Sequence, residues 1–196
     1  GKTPVIMAVD KALAAVFSLA DTPRQNAKDT IAALKKLGIQ QTILLTGDNE
    51  KVGSAMAKTL ALDTVRSGLM PEEKVTALKE LASNQVVAMV GDGVNDAPAL
   101  AVASVGIAMG GASTDVALET ADVALINDDL SKLPYAVDLG RATQQVVKQN
   151  MFISGGVILA LLLTSILGIT SISWAVIVHE GSTLLVVLNS LRLLKR

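Results

Sequence analysis

Apolar residues along this chain come in two textures. Up to about residue 130 they form short runs separated by polar stretches of helical spacing; beyond it they merge into two long blocks. In the first part, Ala27 to Leu37, Val52 to Leu60 and Val75 to Ala82 have the spacing of one-faced helices. Thr42 to Leu45, Val86 to Val90, Val105 to Met109 and Val123 to Ile126 are short apolar runs that predict buried strands. Helix and strand alternate, which predicts a parallel sheet covered by helices with ligands at the carboxyl ends of the strands. Before them, Val5 to Val9 and Leu13 to Leu19 look like the last strands of another domain. The expected divisions are 1–19, 20–134 and 135–196.

The second texture predicts a hairpin of membrane helices. Leu130 to Gln149 is helix-compatible and polar on several faces, and it runs into Met151 to Ile169, which holds no charge over the length that spans hydrocarbon. Ile172 to Leu191 is a second such run, interrupted by His179 and Glu180, and only Thr170-Ser171 and their neighbours separate the two. Arg141 and Lys148 precede the first span and Arg192, Lys195 and Arg196 follow the second, so the positive-inside rule places both ends in the cytoplasm. Trp174 fits the outer headgroup boundary. The competing expectation is a hairpin buried inside a soluble protein.

Composition agrees with a soluble domain joined to a hydrophobic appendix: 196 residues, 51% hydrophobic, formal net charge −1 and mean hydropathy +0.50. Aromatic residues make up only 2% and the soluble part has no basic cluster, which argues against nucleic acid as a partner. The absence of cysteine excludes disulfides and thiolate metal sites within the chain.

The chemistry gathers where strands end. After Val86 to Val90 the glycines of Gly91-Asp92-Gly93-Val94-Asn95-Asp96 turn the chain so that Asp92 and Asp96 emerge together, with Asn95 adding a neutral hydrogen-bonding group. Two hard carboxylates suit Mg²⁺, which keeps phosphate among its ligands, and so point to phosphoryl transfer. Thr46-Gly47, at the end of the strand from Thr42, offers a hydroxyl and backbone N–H groups before a helix, a pattern that holds phosphate. Lys74, in the first turn after Met70-Pro71, supplies a positive charge to the same phosphate; the alternative is a solvated surface lysine. In the second span, His179, Glu180 and Thr183 can face one site at helical spacing. A charge at that depth is expensive unless it has a partner or a role, and imidazole, carboxylate and hydroxyl together suit a borderline divalent first-row ion. The alternative is a hydrogen-bonded pair that locks the hairpin to other helices.

Thr46-Gly47-Asp48-Asn49, Pro71 to Lys74, Gly91 to Leu100 and Met109 to Leu125, in this order, resemble the phosphorylation domain of P-type ATPases, which has the haloacid-dehalogenase-like, Rossmann-like α/β fold. Asp21-Thr22 is similar to the start of that domain. The resemblance implies catalytic roles for Thr46, Gly47, Asp48, Lys74, Asp92, Asn95 and Asp96, with ATP as substrate and Mg²⁺ held by Asp92 and Asp96. It also implies that residues 1–19 end a nucleotide-binding domain and that the protein lies in a plasma or inner membrane. The family's phosphorylated aspartate stands in Asp-Lys-Thr-Gly-Thr, which this sequence lacks; Asp10-Lys11-Ala12-Leu13 is the nearest look-alike and reads as a turn. The chain is therefore expected to be the carboxyl-terminal portion of a longer pump, inactive toward ATP alone because covalent catalysis needs the missing carboxylate. A soluble phosphatase of the same fold and a truncated, non-catalytic metal-binding or regulatory protein are the competing expectations.

His179-Glu180-Gly181-Ser182-Thr183, followed by Asn189-Ser190-Leu191-Arg192, resembles the last membrane helix of heavy-metal pumps of the cobalt-type subgroup. Zinc, cadmium and lead pumps are expected to carry an aspartate there, and copper pumps asparagine, methionine and serine. The resemblance implies a divalent cargo among cobalt, zinc, iron and nickel. A long helix from Leu130, with Gly140 as its weak point, is expected to link phosphate chemistry to the cation.

Overall fold

The computed structural model describes residues 3–19, 22–91, 96–110, 119–125 and 129–195. Its contacts divide the chain into two compact units, Gly1–Pro134 and Tyr135–Arg196. The first unit opens with an antiparallel hairpin, β1 (Thr3–Val9) and β2 (Ala12–Leu19). Asp10 and Lys11 form its turn with φ of 49° and 67°. Positive φ at both central residues is the geometry of a type I′ hairpin turn, which matches the strand twist, so the look-alike Asp-Lys is indeed a turn.

Next come α1 (Ala27–Lys36), β3 (Ile43–Leu45), α2 (Glu50–Leu60), β4 (Thr64–Arg66), α3 (Pro71–Ala82), β5 (Ala88–Gly91), α4 (Ala97–Val102), β6 (Val105–Met109) and β7 (Val123–Leu125). Local chemistry explains their limits. In α1, Ala27, Thr30 and Leu34 are buried on one face, Asp29 lies in the first turn and Lys35 and Lys36 in the last, which suits the helix dipole. Gly38, at φ 84°, ends the helix, with Ile39 N–H donating back to Leu34 C=O at 3.1 Å. Asn49 caps α2 by accepting from Val52 N–H at 3.1 Å. Pro71 opens α3, where its missing N–H costs nothing, and the Glu73 carboxylate accepts from Met70 N–H at 2.8 Å.

The expected single sheet is two parallel ladders, β3–β4 and β5–β6–β7. They share side-chain packing without sharing backbone bonds: Leu45 of β3 packs on the cluster Leu78, Met89, Ala99, Leu100 and Ala108. β4 was absent from the expected strands because Thr64–Arg66 carries too little apolar pattern to be seen. It is set by pairing, Ile43 opposite Thr64 and Leu45 opposite Arg66. The Val86 run also starts later than expected, because Val86 and Val87 precede the ladder.

In the second unit the polar and apolar stretches merge into one helix, α5 (Lys132–Ile166, 35 residues), about 52 Å long at 1.5 Å per residue. It is continuous through Gly140, and Pro134 lies in its first turn, where the lost N–H would have no helical acceptor. A loop containing Gly168 at φ 69° leads to α6 (Ile172–Ser190) and a 3-10 turn, Leu191–Lys195. Both helices are long and apolar enough to cross a membrane, and the most apolar 18-residue window of each is only 6% buried. A core helix of a soluble protein buries most of that surface, which these two helices do not do within this chain.

One exposed ion pair ties the α1 end of the soluble unit to the strand ladder. Asp63 accepts from Lys35 Nζ at 2.6 Å and from both Thr42 N–H and Thr42 Oγ1 at 2.8 and 2.7 Å. The Lys35 bond first, and then the Thr42 bonds, lower its pKa from 3.8 to about 2. Because the folded pKa is depressed, this contribution to stability is fully present above pH 3.8 and is lost as pH falls through about 2. Carboxyl NMR titration should place the Asp63 midpoint near 2, and Lys35→Ala should move it up toward 3.8. An unmoved midpoint in that variant would remove Lys35 as the cause.

Candidate functional site

Three segments carry the expected phosphate chemistry, and each lies within a few residues of the shared core. Leu45, before Thr46, and Val75, after Lys74, pack on the cluster that holds Met89 of β5, the strand ending at Gly91. The core therefore fixes the backbone at Thr46, Lys74 and Gly91 around one region, while leaving their polar groups at its margin.

Lys74 and Asp96 meet directly. Lys74 Nζ donates to Asp96 Oδ1 at 2.8 Å, and the two side chains are 17% and 16% exposed. The pairing was not foreseen, since each residue had been assigned to a ligand instead; nothing local in the sequence signals a contact between α3 and the start of α4. Asp96 lies against the end of β5: a Cβ placed on Gly91 would come within 2.9 Å of both Asp96 Cβ and Oδ2. Gly91 is thus needed for close approach, a role distinct from the turn expected of it.

Thr46, Gly47 and Asp48 form a separate knot. Thr46 Oγ1 donates to Asp48 Oδ2 at 3.0 Å and accepts from Asp48 N–H at 3.1 Å. The loop after β4 closes over it, Gly68 N–H donating to Asp48 C=O at 2.7 Å and Leu69 N–H to Thr46 C=O at 3.0 Å. A Cβ on Gly47 would stand 3.3 Å from Leu69 O, so glycine permits this approach. Behind the loop, α2 packs so tightly on β4 that a Cβ on Gly53 would collide with Ser67 Oγ, a buried hydroxyl with no partner among the described residues. Asp92 and Asn95 lie outside the described residues, as do Asp21, residues 111–118 and residues 126–128.

The described donor set suits a hard cation only in part. Asp96 provides one carboxylate, already paired with Lys74, and no group of three or more histidine, aspartate or glutamate residues assembles among the described residues. Mg²⁺ needs no such cage, since one or two carboxylates with phosphate and water suffice, so these residues fit it.

In the second unit, His179 and Glu180 line one groove of about 360 Å³ with Leu161, Ser165, Thr170, Ile172, Ala175 and Val176. Thr183 is not among its lining residues; its Oγ1 donates to His179 C=O at 3.3 Å, and Ser182 Oγ donates to the same carbonyl at 2.7 Å. The expected trio is therefore two side chains in the groove and a third bonded to the helix backbone.

A profile of haloacid dehalogenase-like hydrolases covers residues 2–104. The chain is 47% identical over its whole length to a cadmium-transporting ATPase of Staphylococcus aureus, of which it spans 27%. It is 46% identical over 99% of its length to a manganese-exporting P-type ATPase of Mycobacterium tuberculosis, again spanning 27%. Among solved structures, a zinc-transporting PIB-type ATPase in the E2.Pi state superposes with a TM-score of 0.86 and 42% identity, over 99% of this chain and 32% of that one. The chain belongs to the haloacid dehalogenase-like hydrolase family, and over its whole length it is similar to heavy-metal-transporting P-type ATPases. It spans about a quarter of the length of the curated relatives it matches.

The Lys74–Asp96 pair makes a stability prediction. Removing one partner of a largely buried pair leaves the other charge desolvated, at a cost of about 3 kcal/mol, whereas removing both is close to neutral. Lys74→Met should therefore destabilise the soluble unit by that order, and Lys74→Met with Asp96→Leu should recover most of the loss in denaturant titrations. Equal losses in the single and double variants would contradict the pairing.

Proposed function

We propose that this chain forms part of an ATP-driven pump that exports divalent metal cations through an aspartyl-phosphate cycle. One arrangement carries the reading. The chain joins a lysine–aspartate site at parallel-strand ends to two apolar helices whose groove holds its one histidine and an adjacent glutamate.

Phosphoryl transfer requires a carboxylate from a segment outside this chain, one of its oxygens bonding to the γ-phosphorus of ATP as the bond to ADP breaks. β3 pairs only with β4 and β5 only with β6 among the described strands, so each keeps an edge that a further parallel strand can join. Lys74 places its ammonium where negative charge gathers on the transferring group, and Thr46 and Gly47 offer hydroxyl and N–H donors to its oxygens. For this, Thr46 Oγ1 must exchange its bond to Asp48 for one to phosphate, which makes Asp48 the group that holds the hydroxyl until substrate arrives. Asp92 and Asp96 would hold Mg²⁺, with Asn95 beside them; bound there, the ion supplies charge neutralisation. Asp96 is then shared between Lys74 and the ion, which keeps the ammonium close to the phosphate.

The cation is assigned to His179 and Glu180, with Thr183 next to them on α6. The His-Glu-Gly-Ser-Thr segment favours the cobalt-type subgroup, while the similar proteins are named for cadmium, manganese and zinc; all are divalent ions that accept nitrogen and oxygen donors. In this reading the hairpin spans a plasma or inner membrane, with Arg141, Lys148, Arg192, Lys195 and Arg196 on the cytoplasmic side. Continuous α5 links the two chemistries, and residues 1–19 complete a nucleotide-binding domain.

In the complete protein, Asp92→Asn should reduce phosphoenzyme formation from ATP roughly 10²-fold or more. Normal phosphoenzyme at limiting Mg²⁺ would refute that assignment.

His179→Ala and Glu180→Ala should abolish cation-stimulated ATP hydrolysis while leaving phosphorylation by inorganic phosphate. Counting bound Co²⁺, Zn²⁺, Cd²⁺ and Mn²⁺ per folded protein checks both the site and its selectivity. Unchanged stoichiometry for every ion in both variants would sink the cation site.

A further inference from the structure

The two apolar helices are joined by side-chain hydrogen bonds at one place only among the described residues, the end opposite their loop. Asn189 Nδ2 of α6 donates to Asn150 Oδ1 at 2.9 Å and to Gln149 Oε1 at 3.2 Å, both on α5. Asn150 Nδ2 donates in return to Ser190 Oγ at 2.9 Å, and Ser190 Oγ donates to Val186 C=O, also at 2.9 Å. Arg192 Nη1 supplies Asn189 Oδ1 with a donor at 3.0 Å. The network is closed and directional. Turning either asparagine amide over would set NH₂ against NH₂ or oxygen against oxygen, so each amide has one acceptable orientation.

Neither the phosphate chemistry nor the cation groove uses these residues. Their partners are also specific in register: a shift of α6 by one residue along α5 rotates Asn189 about 100° away from Asn150 and breaks the reciprocal bonds. The apolar side chains that make up most of α5 after Asn150 and most of α6 slide past one another with little change in contact. In a lipid environment, where apolar surface gives little preference for one helix pairing over another, interhelical polar bonds decide the register.

We propose that Gln149, Asn150, Asn189 and Ser190 form an amide clasp that sets the register of α6 against α5. The loop at Gly168 fixes the other end of the hairpin, and the groove of His179 and Glu180 lies between these two fixed points. Asn189 is about 15 Å from His179 along the helix at 1.5 Å per residue, so the clasp acts at a distance and touches no cation. Asn150 and Asn189 are thus positioning residues: they hold His179 and Glu180 opposite Leu161 and Ser165 of α5, which line the same groove. That consequence rests on the cation reading above; the register itself does not.

Cross-linking tests the register directly. The chain has no cysteine, so a pair introduced as Leu161→Cys and Val178→Cys, both lining one groove between the helices, is the only one present. With the 196-residue chain in lipid vesicles, this pair should oxidise rapidly. Asn150→Leu or Asn189→Leu should slow the reaction at least fivefold and raise cross-linking of Leu161→Cys with cysteine at the neighbouring position 177 or 179. Asn189→Gln, which keeps the amide donor, should restore part of the rate, an effect that general loosening of the helices would not show. Unchanged rates and positions in both leucine variants would overturn the clasp.

A second arm uses the complete protein carrying Asn150→Leu, with Zn²⁺ and Co²⁺ as probes. Cation affinity should fall about tenfold while phosphorylation from inorganic phosphate is kept. A changed cross-linking register with unchanged affinity would leave the clasp standing and overturn its link to the groove, which separates failure of the clasp from failure of the cation assignment.

Discussion

Leu78 and Leu100, 2% and 1% exposed, lie in one cluster with Met89, Ala99 and Ala108, and the soluble unit is organised around their burial. The cluster draws on α3, α4, β5 and β6, and it tolerates little additional volume. A Cβ on Gly106 would come within 2.7 Å of Leu100 O, so α4 can lie on β6 only because that position is glycine. Leu45 brings β3 to the same core although no backbone bond joins β3 to β5. Close packing therefore does what a continuous sheet would otherwise do, and it carries the polar residues at the strand ends into one neighbourhood.

This arrangement explains why the polar groups at the strand ends are held beside the core and only partly buried. Thr46 and Lys74 each adjoin an anchored apolar residue, so their backbones are fixed while their side chains remain at the margin. Their partners, Asp48 and Asp96, satisfy them, and in the proposed reading a phosphate would compete for the same donors. An ammonium left alone at one-sixth exposure would be costly, and the pairing with Asp96 offsets that cost. In the proposed reading, the same pairing keeps a carboxylate where a hard cation and a phosphoryl group would meet.

The helical unit obeys different rules. Apolar side chains on α5 and α6 point outward over most of their length, and only 6% of the most apolar window of each is buried. Hydrophobic association cannot then specify how the two helices pair if lipid surrounds them, because lipid is as apolar as leucine. Specificity passes to the few polar groups, the amides near Asn150 and Asn189 and the His179–Glu180 step. Each is expensive in such surroundings unless bonded or used.

The sequence by itself determined most elements, because periodicity, caps and breakers act locally. The helices at Ala27, Glu50 and Pro71, the strands at Ile43 and Val105, the Asp10-Lys11 turn and the two long apolar helices were all legible, and so was the family. β4 was not, since Thr64–Arg66 is specified by its pairing with β3 and has little pattern of its own. Tertiary structure alone decided that the sheet is two ladders, that Lys74 meets Asp96 across separate helices, and that Asn150 accepts from Asn189 and donates to Ser190. It also showed Thr183 Oγ1 donating to the carbonyl of His179, a bond that helical spacing did not indicate. Spacing along one helix fixes which residues share a face, but a side chain that can bond its own backbone answers to local geometry. Contacts between distant segments depend on how the core brings those segments together, which no local pattern encodes.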